Sequence, residues 1–181
     1  MATLNEAIVK WINRPRDHER TIGRYWATDL FKIRKGYLKP KDFFNYKEIS
    51  KDETVELVTR GIAMEDFILK VFTDLKAKVK YHQKIEFKVN DEITLSGEMD
   101  FLFPDKVIEC KYPRERCYAL PDRYIDQCSF YHKATGLDTY LCEFPYPTRM
   151  WKLEFDKKRW EETMDMVKSF HEKLINLKNN G

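Results

Sequence analysis

Asp100, Glu109 and Lys111 have the types and spacing of a hydrolytic centre. Asp100 closes Gly97-Glu98-Met99-Asp100, and the other two lie in Val107-Ile108-Glu109-Cys110-Lys111. The turn Phe103-Pro104-Asp105-Lys106 joins the two segments as a hairpin. With Phe103 paired to Lys106, Leu102 faces Val107, Asp100 faces Glu109 and Glu98 faces Lys111. Carboxylates directly opposite one another in a strand pair repel, at a cost of up to about 1 kcal/mol. A divalent cation between them turns that repulsion into coordination. Lys111 follows Glu109 by two residues, so it shares the face and adds an ammonium group. A metal beside an ammonium suits phosphodiester hydrolysis. The competing reading is a solvated sheet face, since charged residues make up 35% of the chain.

Further residues bear on the choice. Glu65 falls on the apolar stripe of a long helix, where a carboxylate is costly unless it is paired or holds a cation. It reads as a metal ligand, as an orienter of metal-bound water, or as an edge residue paired with a lysine. Gln127 and Tyr131 lie four apart on a later helix and share a face. They are able to bind a phosphate or hold a carboxylate, or simply to pack. Arg114 and Arg116 follow Lys111 closely and either bind flanking phosphates or line a solvated loop. The four histidines show no ligand spacing, and His82 reads as structural.

The elements that must position these groups can be read in order. Thr3-x-x-Glu6 is a capping box for a short helix stopped before Pro15. A second helix is expected over about 22–35 and a loop with aromatic anchors over 40–51. A long helix over about 52–75 carries Leu57, Gly61, Met64, Ile68, Phe72 and Leu75 on one stripe. From Val79 the period becomes two, giving strands near 79–89, 93–103 and 107–112. Asp122 is expected to cap a helix over about 123–135, with Gly136 in its left-handed end position. Strands near 139–144 and 150–155 and a helix from Asp156 to about Leu177 complete an α/β fold: a central mixed β-sheet flanked by helices on both sides.

At 181 residues the chain is long enough for one such domain. No apolar run approaches the roughly 18 residues of a membrane span, and the N-terminus lacks a signal-peptide core. Cys110, Cys117, Cys128 and Cys142 form no C-x-x-C pair, which reads as a reduced, intracellular protein. Net charge is only +3, yet 33 lysines and arginines permit a basic groove beside an acidic pocket.

Taken together, these motifs resemble the PD-(D/E)XK nuclease superfamily. Within it the chain is similar to the RecB-type branch, which includes CRISPR-associated RecB-like exonucleases and small archaeal viral relatives. Asp100 matches the motif's metal-binding Asp, and Glu109-Cys110-Lys111 matches (D/E)-x-K. Gln127-x-x-x-Tyr131 matches the branch's Q-x-x-x-Y, and Gly61-x-x-x-Glu65 its helical G-x-x-x-H/E element. Thr28-Asp29-Leu30, with Arg34 and Tyr37, resembles the S/T-D-L…R…Y segment. Many CRISPR-associated relatives hold an iron–sulfur cluster through one early cysteine and three late ones. Here Ile33 stands at the early position and no late trio exists, so no cluster is expected.

The resemblance implies a restriction-endonuclease-like core in a single nuclease domain over 1–181. It would comprise an N-terminal helical segment to about 50, a catalytic core over about 52–155 and a C-terminal helix over about 156–178. The activity implied is that of a Mg²⁺- or Mn²⁺-dependent deoxyribonuclease, an exonuclease and/or single-strand endonuclease. Asp100, Glu109 and the Cys110 main-chain carbonyl would be ligands, with Glu65 direct or through water. Lys111 would orient or deprotonate the attacking water or stabilise phosphorane-like charge. Gln127 and Tyr131 would position the DNA and the carboxylates. The partner would be single- or double-stranded DNA and not a membrane, with a homo-oligomer or accessory recombination or replication proteins also allowed. The location would be the cytoplasm, or a host's for a viral protein. The competitors are a catalytically silent nuclease-fold module that binds DNA or protein, and a structural protein whose acid–lysine cluster is a surface ion-pair network.

Overall fold

The computed structural model describes Lys10 and residues 20–45, 52–113, 118–144 and 148–180, the side chains at 52–54 and 57 excepted. In chain order come β1 (Arg24–Trp26), α1 (Ala27–Arg34), α2 (Asp52–Asp74), β2 (Lys80–Lys88), β3 (Thr94–Leu102) and β4 (Lys106–Lys111). There follow α3 (Asp122–Thr135), β5 (Asp138–Glu143), β6 (Arg149–Lys152) and α4 (Lys157–Asn179). The six strands form one mixed sheet. β2 and β4 pair antiparallel with β3, β4 is parallel to β5, and β6 is antiparallel to β5. A parallel pair needs a crossover, and α3 is that crossover, which lays it beside β4.

The expected hairpin forms. Phe103 N–H donates to the Lys106 carbonyl at 2.8 Å, and Leu102 pairs with Val107. One helix over 22–35 does not form. Arg24–Trp26 is instead a short strand parallel to the start of β3, and α1 begins only at Ala27. The pairing buries Tyr25 completely, a long-range gain that outweighs local helical preference. Asp122 is not a cap either: Pro121 holds that position, and the Asp122 carboxylate turns to Arg159 and Arg34. Asp156 does cap α4, accepting from Arg159 N–H at 3.0 Å, and Gly136 takes φ 72° at the end of α3. The helix expected near Thr3 and the end of the 40–51 loop lie outside the described residues.

Helices cover both faces. On one, α1, α3 and α4 pack Leu30, Phe130, Tyr131, Trp160, Val167 and Phe170 against Leu95, Met99 and Val107. On the other, α2 sets Ile68, Met64 and Phe72 against Phe101, Ile108 and Cys110. The expected stripe on α2 runs out at its end, where Leu75 is exposed. Side-chain alternation in β2 changes face midway: Ile85, Phe87 and Val89 join the first core, Val79 and Tyr81 the second. Between them sits His82, with φ 51°, a left-handed residue inside a strand. Such a conformation is uncommon for any non-glycine side chain.

Candidate active site

The site lies at a gap in the sheet. Along one edge of β3, β1 pairs as far as Ser96 and β4 begins only at Phe101, so Gly97–Asp100 pair with neither. Side chains take over the missing ladder. The Tyr131 hydroxyl donates to the Glu98 carbonyl at 2.7 Å, and the Asp100 carboxylate accepts the Cys110 N–H at 2.7 Å. Buried backbone groups need such partners. The strands thus diverge just short of the expected direct opposition of Asp100 and Glu109. Glu98 does not face Lys111 but pairs with Lys84 on β2.

Gly97 makes the gap usable. A Cβ there would stand 2.8 Å from the Phe130 ring and 3.0 Å from the Tyr131 ring, so only glycine lets α3 come this close. That approach carries Gln127 and Tyr131 to the strand. Gln127 Nε2 donates to Glu109 Oε1 at 2.7 Å and lies 3.0 Å from the Tyr131 oxygen. Lys111 Nζ is ion-paired with the same Glu109 oxygen and lies 5.5 Å from the Tyr124 ring centroid. The other oxygen, Glu109 Oε2, is buried with no hydrogen-bond partner.

Glu65 reaches the site from α2, and His82 from β2. His82 Nε2 lies 3.6 Å from Glu65 Oε2, and His82 Nδ1 lies 2.5 Å from Glu98 Oε1. Ligand atoms of Glu65, His82 and Asp100 all fall within 4.8 Å of one another. His82, which reads as structural in the sequence, thus stands among acidic side chains. No spacing in the sequence marks it, because the left-handed turn that aims it is invisible there.

Burial leaves these carboxyls poorly neutralised. Desolvation, then the charges of Asp100 and Glu109, push the Glu65 pKa up to about 8. Desolvation and Asp100 raise Glu109 to about 7 against the pull of Lys111, and burial raises Asp100 as well. Lys111 is raised too, because Glu109 and Asp100 outweigh its desolvation. It is held as an ammonium, the opposite of the depressed value that a general base needs. Three crowded carboxyls, one with an orphaned buried oxygen, fit a hard divalent cation.

The remaining predicted residues fall elsewhere. Arg114 and Arg116 lie outside the described residues. Asp29 and Arg34 of the N-terminal motif serve packing: Asp29 takes a two-pronged pair from Arg20, at 2.8 and 3.0 Å, and Arg34 bonds Asp126 at 2.8 Å. Asp105 sits in the hairpin turn, paired with Lys106. Cys110, Cys128 and Cys142 are buried, unlinked thiols.

No protein-family model matches the chain, and no curated protein is significantly similar to it. Solved structures are. SSO0001 superposes with a TM-score of 0.69 at 15% identity, over 98% of this chain and 88% of that one. The alkaline exonuclease LHK-Exo from Laribacter hongkongensis gives 0.63 at 15% identity, over 88% and 93%. A phage-related exonuclease from Haemophilus somnus 129PT gives 0.58 at 13% identity, over 86% and 96%. The fold is shared with solved exonucleases. Among the described residues, no helix is long and apolar enough to cross a membrane.

Proposed function

We propose that the protein is a divalent-metal-dependent DNA nuclease of the PD-(D/E)XK type, with this gap as its active site. The observation that carries the reading is the half-buried Glu65 beside buried Asp100 and Glu109, around Lys111, with Glu109 Oε2 unpartnered, in a fold shared with exonucleases. One of those neighbours, LHK-Exo, has also been solved in complex with dAMP, which supports a nucleotide-bearing substrate. The finer assignment to the RecB-type branch rests on Gln127-x-x-x-Tyr131, whose side chains reach Glu109 and the Glu98 carbonyl.

Glu65, Asp100 and Glu109 would hold Mg²⁺ or Mn²⁺, with the Cys110 carbonyl beside them. When bound, such an ion lowers the pKa of a coordinated water and neutralises charge on a scissile phosphate. Lys111 serves as a fixed positive charge for the phosphate under attack, since its carboxylate neighbours keep it protonated. Gln127 clamps Glu109, leaving Oε2 free to ligate, and Tyr131 ties α3 to the open edge of β3. Arg114 and Arg116, close behind Lys111 in sequence, would meet flanking phosphates.

The test is cleavage of end-labelled linear and circular DNA, single- and double-stranded, with Mg²⁺, Mn²⁺ or EDTA. Cutting should require metal and fall at least ~10²-fold in Lys111→Ala. Binding without cutting under every metal would instead favour a silent DNA-binding relative.

A further inference from the structure

We propose that His82 is a nitrogen ligand of the divalent cation, fixed by Glu98, and that it biases the site toward Mn²⁺ over Mg²⁺. The inference rests on the metal centre of the nuclease reading and adds a residue from outside the motif. Metal-binding histidines characteristically give their second ring N–H to a carboxylate, which sets the tautomer and aims the free nitrogen. His82 has that arrangement. Nδ1 meets Glu98 Oε1 at 2.5 Å, so the proton belongs there and the Nε2 lone pair points to the side where Glu65 Oε2 lies 3.6 Å away. His82, Glu65 and Asp100 each present one ligand atom, all within 4.8 Å of one another. A second observation stands apart from this trio: Glu109 Oε2 is buried with no hydrogen-bond partner, on a carboxylate whose charge reaches Glu65.

The strand itself bends for this residue. His82 would pair with Asp100 in the β2–β3 register, between Tyr81–Phe101 and Gln83–Met99, but its φ of 51° takes it out of the ladder. A left-handed non-glycine residue is strained, and here the turn delivers an imidazole beside Asp100. An imidazole among oxygen donors shifts preference from Mg²⁺, which takes oxygen ligands, toward first-row transition ions. Glu98 thereby gains a role as a positioning residue. The alternative is an imidazolium ion-paired between Glu65 and Glu98, with no role in binding metal.

The experiment uses Mn²⁺ alone, without DNA, on wild type, His82→Asn and Glu98→Gln. Asparagine is chosen because it tolerates positive φ, and circular dichroism checks that each variant is folded. Pulsed EPR of bound Mn²⁺ should show ¹⁴N modulation from an imidazole in wild type and lose it in His82→Asn. Competition with Mg²⁺ should show the Mn²⁺/Mg²⁺ affinity ratio falling about 10-fold in His82→Asn. Glu98→Gln should weaken Mn²⁺ binding about 10-fold while keeping the modulation. Bound Mn²⁺ without ¹⁴N modulation in wild type overturns the inference and leaves the nuclease reading standing. So does an unchanged affinity ratio in folded His82→Asn. Failure of wild type to bind Mn²⁺ at all overturns both.

Discussion

Helix α3 carries two faces that solve the burial of carboxylates in opposite ways. On one, Asp126 is buried between two guanidinium groups: Arg34 Nε at 2.8 Å and Arg159 Nε at 2.7 Å. Asp122, one turn earlier, accepts from Arg159 at 2.5 Å and lies 3.2 Å from Arg34. On the other face, Gln127 and Tyr131 lean on Glu109 and β3, where Glu65, Asp100 and Glu109 share Lys111, and His82 stands by Glu65 and Asp100. Protonation follows the partners. Partial burial would raise Asp122, but hydrogen bonds from Arg159, Lys35 and Arg34 bring it down to about 2. Burial wins at Glu65, which rises to about 8. The first cluster closes its charge within the protein and ties α1, α3 and α4 together. The second makes ionisation of its carboxyls unfavourable without a further counter-ion, a cost that a bound cation would relieve.

Removing the centre of the first cluster should have the larger effect on stability. Asp126→Ala removes the buried carboxylate between two half-buried guanidinium groups, which keep Asp122 as a partner, and should cost about 2–3 kcal/mol, a Tm drop of roughly 4–12 °C. Chemical denaturation measures it, and a loss under about 1 kcal/mol would make the clamp ornamental. Gly97→Ala acts on the other face. Its methyl group must push Phe130 and Tyr131 away, costing about 1–3 kcal/mol. Because Gln127 and Tyr131 move with them, cleavage should fall more steeply than stability predicts. A variant destabilised but fully active would detach α3 from the site.

Acidity separates the two clusters further. Glu65 and Glu109 have folded pKa values above the unfolded 4.5, at about 8 and about 7, so the folded state binds extra protons between those limits. Stability of metal-free protein should therefore fall as pH rises from about 5 to 8, by on the order of a few kcal/mol. Asp122 runs the other way: its folded value of about 2 lies below the ordinary 3.8, so its contribution is present above 3.8 and lost as pH drops toward 2. Melting in EDTA across this range should peak near pH 5, and saturating Mn²⁺ should flatten the alkaline slope. A slope unchanged by Mn²⁺ would mean that the raised carboxyls do not hold metal.

Much of the second cluster is readable from the chain because its pieces are local. Glu109 and Lys111 share a strand face by a spacing of two, Gln127 and Tyr131 a helix face by a spacing of four, and the hairpin brings Asp100 near. What escapes depends on distant segments. Tyr25 joins a strand only because Leu95 waits beside it 70 residues on, and three residues are too few to show alternation. The gap between β1 and β4 exists only in the assembled sheet. His82 escapes because nothing in Lys80–Lys88 announces a left-handed residue. Asp122 reads as a cap because its guanidinium partners lie on α1 and α4, far away in sequence.

The contrast between the clusters is tested most directly by melting wild type, Glu65→Gln and Asp126→Asn at pH 7.5, in EDTA and in saturating Mn²⁺. Mn²⁺ should raise the wild-type Tm by about 5–10 °C at 100-fold excess over its dissociation constant. In EDTA, Glu65→Gln should melt above wild type because it relieves the crowded charge, and it should respond less to Mn²⁺. Asp126→Asn should melt below wild type yet keep the full Mn²⁺ response. A wild type indifferent to Mn²⁺, or a Glu65→Gln variant that melts lower in EDTA, would contradict the account.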